Sequence, residues 1–208
     1  MDFLKKNSYD IVRMFITQIG ISVFSFIMLI SFQTMSIEEG SFGYITGMIA
    51  VSVFSTGFYF ILLYTSAWDW GAKDKIRIDA GKLRRNNAKM LIMSAIANLP
   101  NFIIVLFSII CLIFSVCDIK FIFYAAGTLS ATLLRLISNM FVGATGQIFA
   151  FLKDSTEGAD NSLYDLMQMI SFALLYLVTI LVCHLGYSLG IREKRIFGFI
   201  KRKPKKYE

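Results

Sequence analysis

The side chains that most often do chemistry are scarce in this sequence. Its 208 residues include one histidine, His184, and three cysteines, Cys111, Cys117 and Cys183. A zinc site needs several Cys, His or carboxylate ligands close together, and the first two cysteines fall toward the opposite end of the expected helical bundle from His184. No phosphate-binding loop or zinc-protease motif is present. The sequence therefore predicts no catalytic residues, no metal site and no cofactor.

Three residues with unusual backbone or side-chain chemistry, Asn98, Pro100 and Asn101, interrupt the apolar run 90–117. Proline lacks an N–H, so the carbonyl of Ile96 loses its helical hydrogen bond. In a bilayer such a group must be satisfied by protein or by water. The two amides beside the proline are therefore candidates for a polar path or a hinge that serves a solute or ion. A kink whose amides bond neighbouring helices is the alternative.

A second polar feature lies in the stretch 121–152, where Arg135 is the one charged residue and Asn139 follows it. An arginine among apolar residues is costly unless it reaches water or faces a cavity. If the stretch turns near these residues, they lie at a cytoplasmic turn. If the stretch is one long helix, Arg135 is a buried charge and is functional by default.

Small residues follow one another at helical spacing at Gly43, Gly47 and Ala50, and a second pair occurs at Gly186 and Gly190. Helices in lipid gain no hydrophobic drive from one another, so they associate where small residues let the backbones approach. We predict that the first three residues form a helix-packing stripe within the chain, with homodimerisation through the stripe as the alternative.

The basic residues collect in two segments, 69–89 and 191–208. The candidates for docking to anionic lipid or to a soluble partner are Lys73, Lys75, Arg77, Arg84, Arg85, Lys201, Arg202 and Lys203. Basic residues with apolar neighbours suit an anionic membrane surface, where each contributes about 1 kcal/mol. No nucleic-acid recognition module accompanies the charge, so nucleic acid is not a predicted partner.

The elements that carry these residues follow from the composition. The chain is 56% hydrophobic and 17% charged, whereas soluble domains carry about 25% charged residues, which argues against an ordinary soluble enzyme. Four runs, 14–37, 40–68, 90–117 and 166–191, contain no Asp, Glu, Lys or Arg. Each exceeds the length of about 20 residues that a helix needs to cross a bilayer. The sequence therefore predicts an all-α polytopic membrane protein.

Charge asymmetry predicts the orientation and the number of segments. The positive-inside rule places the N-terminus, the loop 69–89 and the tail 191–208 in the cytoplasm. Both ends of 121–152 then lie outside, so this stretch must enter and return, either as two short helices or as a re-entrant hairpin. We predict six segments in one transmembrane domain, with five as the alternative. They span about 14–36, 41–67, 90–114, 121–136, 138–152 and 166–190.

A faint internal echo relates the ends of two predicted helices. At one constant spacing, Trp68, Gly71, Lys73, Asp74 and Lys75 recur as Tyr187, Gly190, Arg192, Glu193 and Lys194. The echo is consistent with a parallel repeat in which the first and last hairpins correspond. The alternative is that helices entering the cytoplasm commonly end in an aromatic residue, a glycine and mixed charges.

These features favour a non-enzymatic accessory or assembly subunit that acts by helix packing and cytoplasmic docking. The alternative is a component of a small-solute or ion transporter or channel, with its path near Pro100. The expected location is a plasma membrane or bacterial inner membrane, with both termini in the cytoplasm. The expected partners are anionic lipid headgroups and either further copies of the chain or a membrane complex.

Overall fold

The chain folds into a bundle of helices. The computed structural model describes residues 2–34, 41–116, 121–152 and 161–194, and every regular element in these ranges is helical. The α-helices are α1 (Asp2–Gln33), α2 (Phe42–Asp79), α3 (Lys89–Val116), α4 (Phe121–Ile137), α5 (Val142–Ile148) and α6 (Ser162–Ile191). Two 3₁₀ turns, Asn139–Phe141 and Ala150–Leu152, precede and follow α5. The all-α prediction is confirmed.

Four of the described helices are long and apolar enough to cross a membrane, namely Asn7–Gln33, Phe42–Asp79, Lys89–Ser115 and Ser162–Ile191. A fifth candidate is the pair Phe123–Ile137 and Asn139–Ile148, which is bent by 93° at its break. The structure thus contains four such helices, or five if the bent pair is one span. The predicted count of six is not shown.

The outside of the bundle is apolar and much of its interior is polar. Large apolar side chains such as Leu129 and Ile103 are 65% and 58% exposed, whereas Gln18 and Asn101 are 1% and 0% exposed. Contiguous exposed apolar surface marks a membrane or partner interface, and polar residues of membrane helices face the bundle interior. The distribution is therefore that of a protein whose outer surface contacts lipid.

The helix α2 continues well past its predicted end at residue 67. It ends where Gly81 adopts a φ of +71°, a left-handed conformation that suits glycine. The N–H groups of Gly81 and Lys82 donate to the carbonyls of Ile78 and Arg77, each at 2.9 Å, which is the Schellman pattern of helix termination. Residues 69–79 of the predicted loop 69–89 are therefore helical. The charged residues indicate where the helix meets water, whereas the glycine determines where the helix ends.

The ends of α2 and α6 cross at very short distance. A Cβ atom on Gly71 would overlap the carbonyl oxygen of Tyr187, and one on Gly190 would overlap that of Trp68. A Cβ on Gly186 would lie 2.7 Å from the carbonyl oxygen of Tyr64. The crossing is reciprocal, because the echo that relates Gly71 to Gly190 also relates Trp68 to Tyr187. At this crossing the echoing residues occupy equivalent positions, and a full repeat stays a prediction.

The stretch 121–152 breaks at Ser138, where α4 gives way to the first 3₁₀ turn. Breaking the helix frees backbone carbonyls, and hydroxyl groups from two neighbouring helices bond them. Ser22 of α1 donates to the carbonyl of Ile137 at 2.6 Å, and Ser52 of α2 donates to that of Met140. Irregular backbone within a bilayer is tolerated only when protein or water satisfies it. The sequence supplies the groups that this break requires.

After the break the chain returns toward the end at which it entered. The Gly127 backbone packs on Leu112 near the end of α3, whereas Gly143 of α5 packs on Met48 near the start of α2. A Cβ on Gly146 would lie 3.2 Å from the hydroxyl of Tyr164, in the first turn of α6. The starts of α2 and α6 and the end of α3 share one end of the bundle. The stretch therefore bends back toward that end, and we call it the re-entrant hairpin; the number of membrane crossings that it makes stays a prediction.

Candidate functional site

A set of buried polar side chains, which we call the central polar cluster, lies halfway along the bundle. Its members are Gln18 in the middle of α1, Asn98 and Asn101 in the middle of α3, Ser138 at the break and Tyr176 in the middle of α6. Each of the five is at most 3% exposed. The break therefore lies at mid-length of the long helices.

Hydrogen bonds join three helices and the break within this cluster. The amide of Asn101 donates to Gln18 Oε1 at 2.8 Å, and Gln18 Nε2 donates to Ser138 Oγ at 3.1 Å. The hydroxyls of Ser138 and Tyr176 bond to each other. Asn98 Nδ2 donates to the carbonyl of Ser94, one turn earlier, at 2.9 Å. Asn101 Nδ2 also lies 3.5 Å from Asn98 Oδ1, so the cluster is a continuous set of hydrogen-bonded polar groups across the three helices and the break.

Two carboxamide oxygens at this level lack a partner. Among the described residues, Asn101 Oδ1 and Asn139 Oδ1 are buried acceptors without a hydrogen bond. A buried polar atom left unsatisfied costs about 1–3 kcal/mol. Such groups in native structures call for an explanation, and a site that binds an absent donor or ion is one of them.

The predicted path residues do not all face the interior. Asn98 and Asn101 are 3% and 0% exposed. Pro100 lies on the exposed side of α3, which continues through it without interruption. Two of the three residues are thus brought together with further polar groups, and the proline is not part of the interior surface.

Arg135 does not lie at the end of the bundle that contains residues 69–89, where the predicted cytoplasmic turn would place it. Its guanidinium forms an ion pair with Asp165, and its Nε donates to Gln168 Oε1 at 2.7 Å. It also lies 5.7 Å from the ring centre of Tyr164. The amide of Gln168 donates to Thr145 Oγ1 of α5 at 3.1 Å. We call these five residues the arginine cluster, in which Arg135 is 24% exposed and lies one turn before the break at Ser138.

The arginine cluster joins both limbs of the re-entrant hairpin to the first turns of α6. The side chains of Arg135 and Asp165 are 24% and 9% exposed. Removing one member of a buried pair leaves an uncompensated charge, which destabilises strongly. These contacts therefore hold both limbs of the hairpin against the start of α6.

The end of the bundle away from the arginine cluster, which we call the basic end, contains a cavity of about 310 Å³. It lies among the first turns of α1 and α3 and the last turns of α2 and α6. Its lining residues are Asn7, Tyr9, Asp10, Trp70, Lys73, Asp74, Arg77, Leu83, Lys89, Met90, Met93 and Tyr187. Asp74 is buried there, and it accepts from Lys89 Nζ at 2.6 Å and from the Tyr187 hydroxyl at 2.9 Å.

The cavity and the central polar cluster lie on the same helix faces. On α3 the buried residues run from Met90 and Met93 in the cavity wall through Ala97 to Asn101. Residues three, four and seven apart share a helix face. The cavity ends at the methionines and does not include the amides. A buried layer that includes Ala97 therefore separates the two polar regions.

The predicted packing stripe is not the buried face of α2. Gly43 and Ala50 are exposed, and the ring of Phe32 occupies the space beside Gly47. The buried residues of α2 are Met48, Ser52, Ser55, Tyr59, Leu63, Ala67, Gly71 and Asp74. Glycine spacing alone did not indicate which face turns inward, because Phe32 fills the groove that the small residues leave.

The predicted basic docking residues occupy two settings. Lys73 and Arg77 line the cavity, whereas Arg84 and Arg85 are exposed between α2 and α3. Lys75 pairs with Glu193 at 2.8 Å. The predicted tail residues Lys201, Arg202 and Lys203 lie outside the described residues.

In the part of the chain that the structure describes, no group of three or more His, Cys, Asp or Glu side chains has the proximity of a metal site. Cys111 and Cys183 are buried and free. Cys117 lies outside the described residues.

Sequence reasoning missed Gln18, Ser138, Tyr176, Asp165 and Gln168. Gln18 carried a usable signal, because a carboxamide early in an apolar run needs a partner. Asp165 directly precedes the predicted last segment 166–190, and its contact with Arg135 is made between α6 and α4, which are far apart in the sequence. No protein-family model, curated protein or solved structure matches this chain.

Proposed function

We propose that the protein spans a membrane several times and conducts or carries a small polar solute or ion through its interior. The observation that carries the proposal is the central polar cluster. It places amide and hydroxyl groups, with an unpartnered amide oxygen on Asn101, at a helix break halfway along the bundle. Broken helices at this depth are where membrane transporters commonly place their substrate sites.

The distribution of polar groups along the bundle supports a path. The cavity at the basic end leads toward the cluster along shared helix faces, and the arginine cluster closes the opposite side. By the positive-inside rule the basic end faces the cytoplasm. The arrangement then has a cavity on the cytoplasmic side, a buried layer that includes Ala97 between this cavity and the cluster, and the arginine cluster on the outer side.

The chemistry of the cluster limits the solute. None of its five members is charged, and they offer amide oxygens, hydroxyls and amide N–H groups. Such groups replace the hydration shell of a monovalent cation or bond a neutral polar molecule. An anion would find no positive partner among these five residues, so we propose a cation or a neutral solute.

Asn101→Ala tests the path in proteoliposomes. The probes are radioactive rubidium for a cation and osmotic swelling in glycerol or urea for a neutral solute. The change removes a donor to Gln18 but also removes a buried unpartnered oxygen. Because the two costs are each about 1–3 kcal/mol and opposite in sign, stability should change by no more than about 2 kcal/mol. Flux should nevertheless be lost, and Asn98→Ala should act in the same direction.

Ser108→Ala is the matched control. Ser108 donates to Ser130 at 2.7 Å between α3 and α4, so the variant also removes a buried interhelical bond. It lies outside the central polar cluster and should retain flux. The proposal fails if wild-type protein makes liposomes no more permeable than empty ones, or if Asn101→Ala and Ser108→Ala conduct equally.

A second candidate function is the non-enzymatic accessory subunit that the sequence favours. It is supported by the short exposed connection 80–88, in which Arg84 and Arg85 extend from the basic end. Arg84→Glu with Arg85→Glu would then release a co-purifying membrane complex while leaving the fold intact. Absent flux together with this release would favour the accessory function over transport.

A further inference from the structure

We propose that the cavity at the basic end binds the phosphate group of an anionic membrane lipid. This site is separate from the central polar cluster and does not depend on transport. The volume of about 310 Å³ is at the lower limit of small-molecule sites, which measure about 300–1,000 Å³. A lipid phosphate with part of its glycerol is of suitable size.

The carboxylates of the cavity pair with only some of its cationic side chains. Asp74 is held by Lys89 and by the Tyr187 hydroxyl. Its distance to Arg77 is 3.7 Å, longer than the 2.7–2.9 Å that is typical of a charge-assisted hydrogen bond. Arg77 is 60% exposed, and it retains donors for a further ligand. Arginine and lysine are the side chains that bind phosphate.

Lys73 provides the second free cation. It is exposed and lines the cavity, and no ion pair of Lys73 is found among the residues the structure describes. Asp10 is the remaining carboxylate of the lining. Lys73 and Arg77 together therefore outweigh it, and the part of the cavity not bound to Asp74 is cationic.

The walls indicate a lipid rather than a soluble phosphate. Trp70, Leu83, Met90 and Met93 line the cavity beside the cations. Apolar walls suit the glycerol and the first carbons of an acyl chain, which a free phosphate lacks. Tryptophan is enriched at the level of lipid headgroups, and basic pockets between membrane helices on the cytoplasmic side bind anionic headgroups.

The test measures phosphatidylglycerol retained by the full-length protein in detergent, by native mass spectrometry. Lys73→Gln with Arg77→Gln removes both cations, and both side chains are exposed enough for the fold to survive. Two cations at about 1 kcal/mol each correspond to about a thirtyfold loss of affinity. The charge-conserving Lys73→Arg with Arg77→Lys should keep binding within about threefold.

Arg84→Gln with Arg85→Gln is the matched control, since it removes the same charge from outside the cavity. It should retain phosphatidylglycerol within about threefold of wild type. Equal loss in both double variants would overturn the site in favour of general surface attraction. Equal retention of phosphatidylcholine, or displacement by inorganic phosphate or glycerol phosphate at the same concentration as lipid, would also overturn it.

Discussion

Arg135→Met is the most informative single perturbation of the hairpin. The arginine bonds Asp165 and Gln168 and lies over Tyr164. Methionine keeps the apolar part of the side chain but leaves the Asp165 carboxylate, which is 9% exposed, without its cation. Breaking a buried pair from one side costs about 3–5 kcal/mol. We therefore expect a large loss of stability from this single substitution.

The magnitude is measurable as a melting temperature in detergent. For chains of about 150–250 residues, each kcal/mol shifts Tm by about 2–4 °C, so the variant should melt about 6–20 °C lower. Replacing both partners, Arg135→Met with Asp165→Leu, should recover most of the loss, because apolar substitutes of similar volume are often neutral or stabilising in place of a buried pair.

The double variant also provides the refutation. If the effects of Arg135→Met and Asp165→Leu simply add, the two residues are not energetically coupled, and the arginine cluster does not hold the hairpin to α6. Additivity is the expectation for distant independent sites, whereas residues in one network couple by about 0.5–3 kcal/mol. Thr145→Val serves as the control, since it removes a cluster hydroxyl without leaving a charge.

Three further expectations concern packing, the proline and orientation. Gly190→Leu should destabilise the protein by about 1–3 kcal/mol or more, because the new side chain would overlap the backbone at Trp68. Gly20→Leu is the control and should be tolerated, since nothing lies within 4 Å of its Cβ position. Equal melting temperatures for the two variants would contradict the close crossing of α2 and α6. Pro100→Ala should restore a helical hydrogen bond and raise Tm, and lost flux in that stabilised variant would identify a hinge. Thr34→Cys should react with an impermeant thiol reagent on intact cells and Arg84→Cys should not; the reverse labelling would refute the orientation.

Helical class and the apolar runs could be predicted because both depend on composition over long windows. The charge-free run 90–117 corresponds closely to α3, because charged residues mark one end of the run and apolar residues fill the rest. The helix α2 extends beyond the predicted membrane segment 41–67 for a local reason. A helix continues into water when its residues favour helix, and the stop came from Gly81, whose left-handed conformation the charge pattern does not encode.

The site was predictable only in part. Asn98 and Asn101 stood out because amides are costly in an apolar run, and the structure buries both. The rest of the cluster was not predictable, because Gln18 meets Asn101 and Tyr176 meets Ser138 only after three helices align. The stripe at Gly43, Gly47 and Ala50 is the converse case. Its spacing predicts a groove for a neighbouring helix, but the ring of Phe32 occupies the space beside Gly47.

The re-entrant hairpin shows why the remaining contacts depend on one another. Its break at Ser138 frees carbonyls that hydroxyl groups of other helices bond, namely those of Ser22, Ser52 and Thr56. The same break turns α5 toward α6 and so brings Thr145 to Gln168, which in turn holds Arg135. Arg135 is thus bonded directly by α6, and the returning limb joins the same network through Thr145 and Gln168. The turn and the buried charge, which the sequence presented as alternatives, are in the structure two parts of one arrangement.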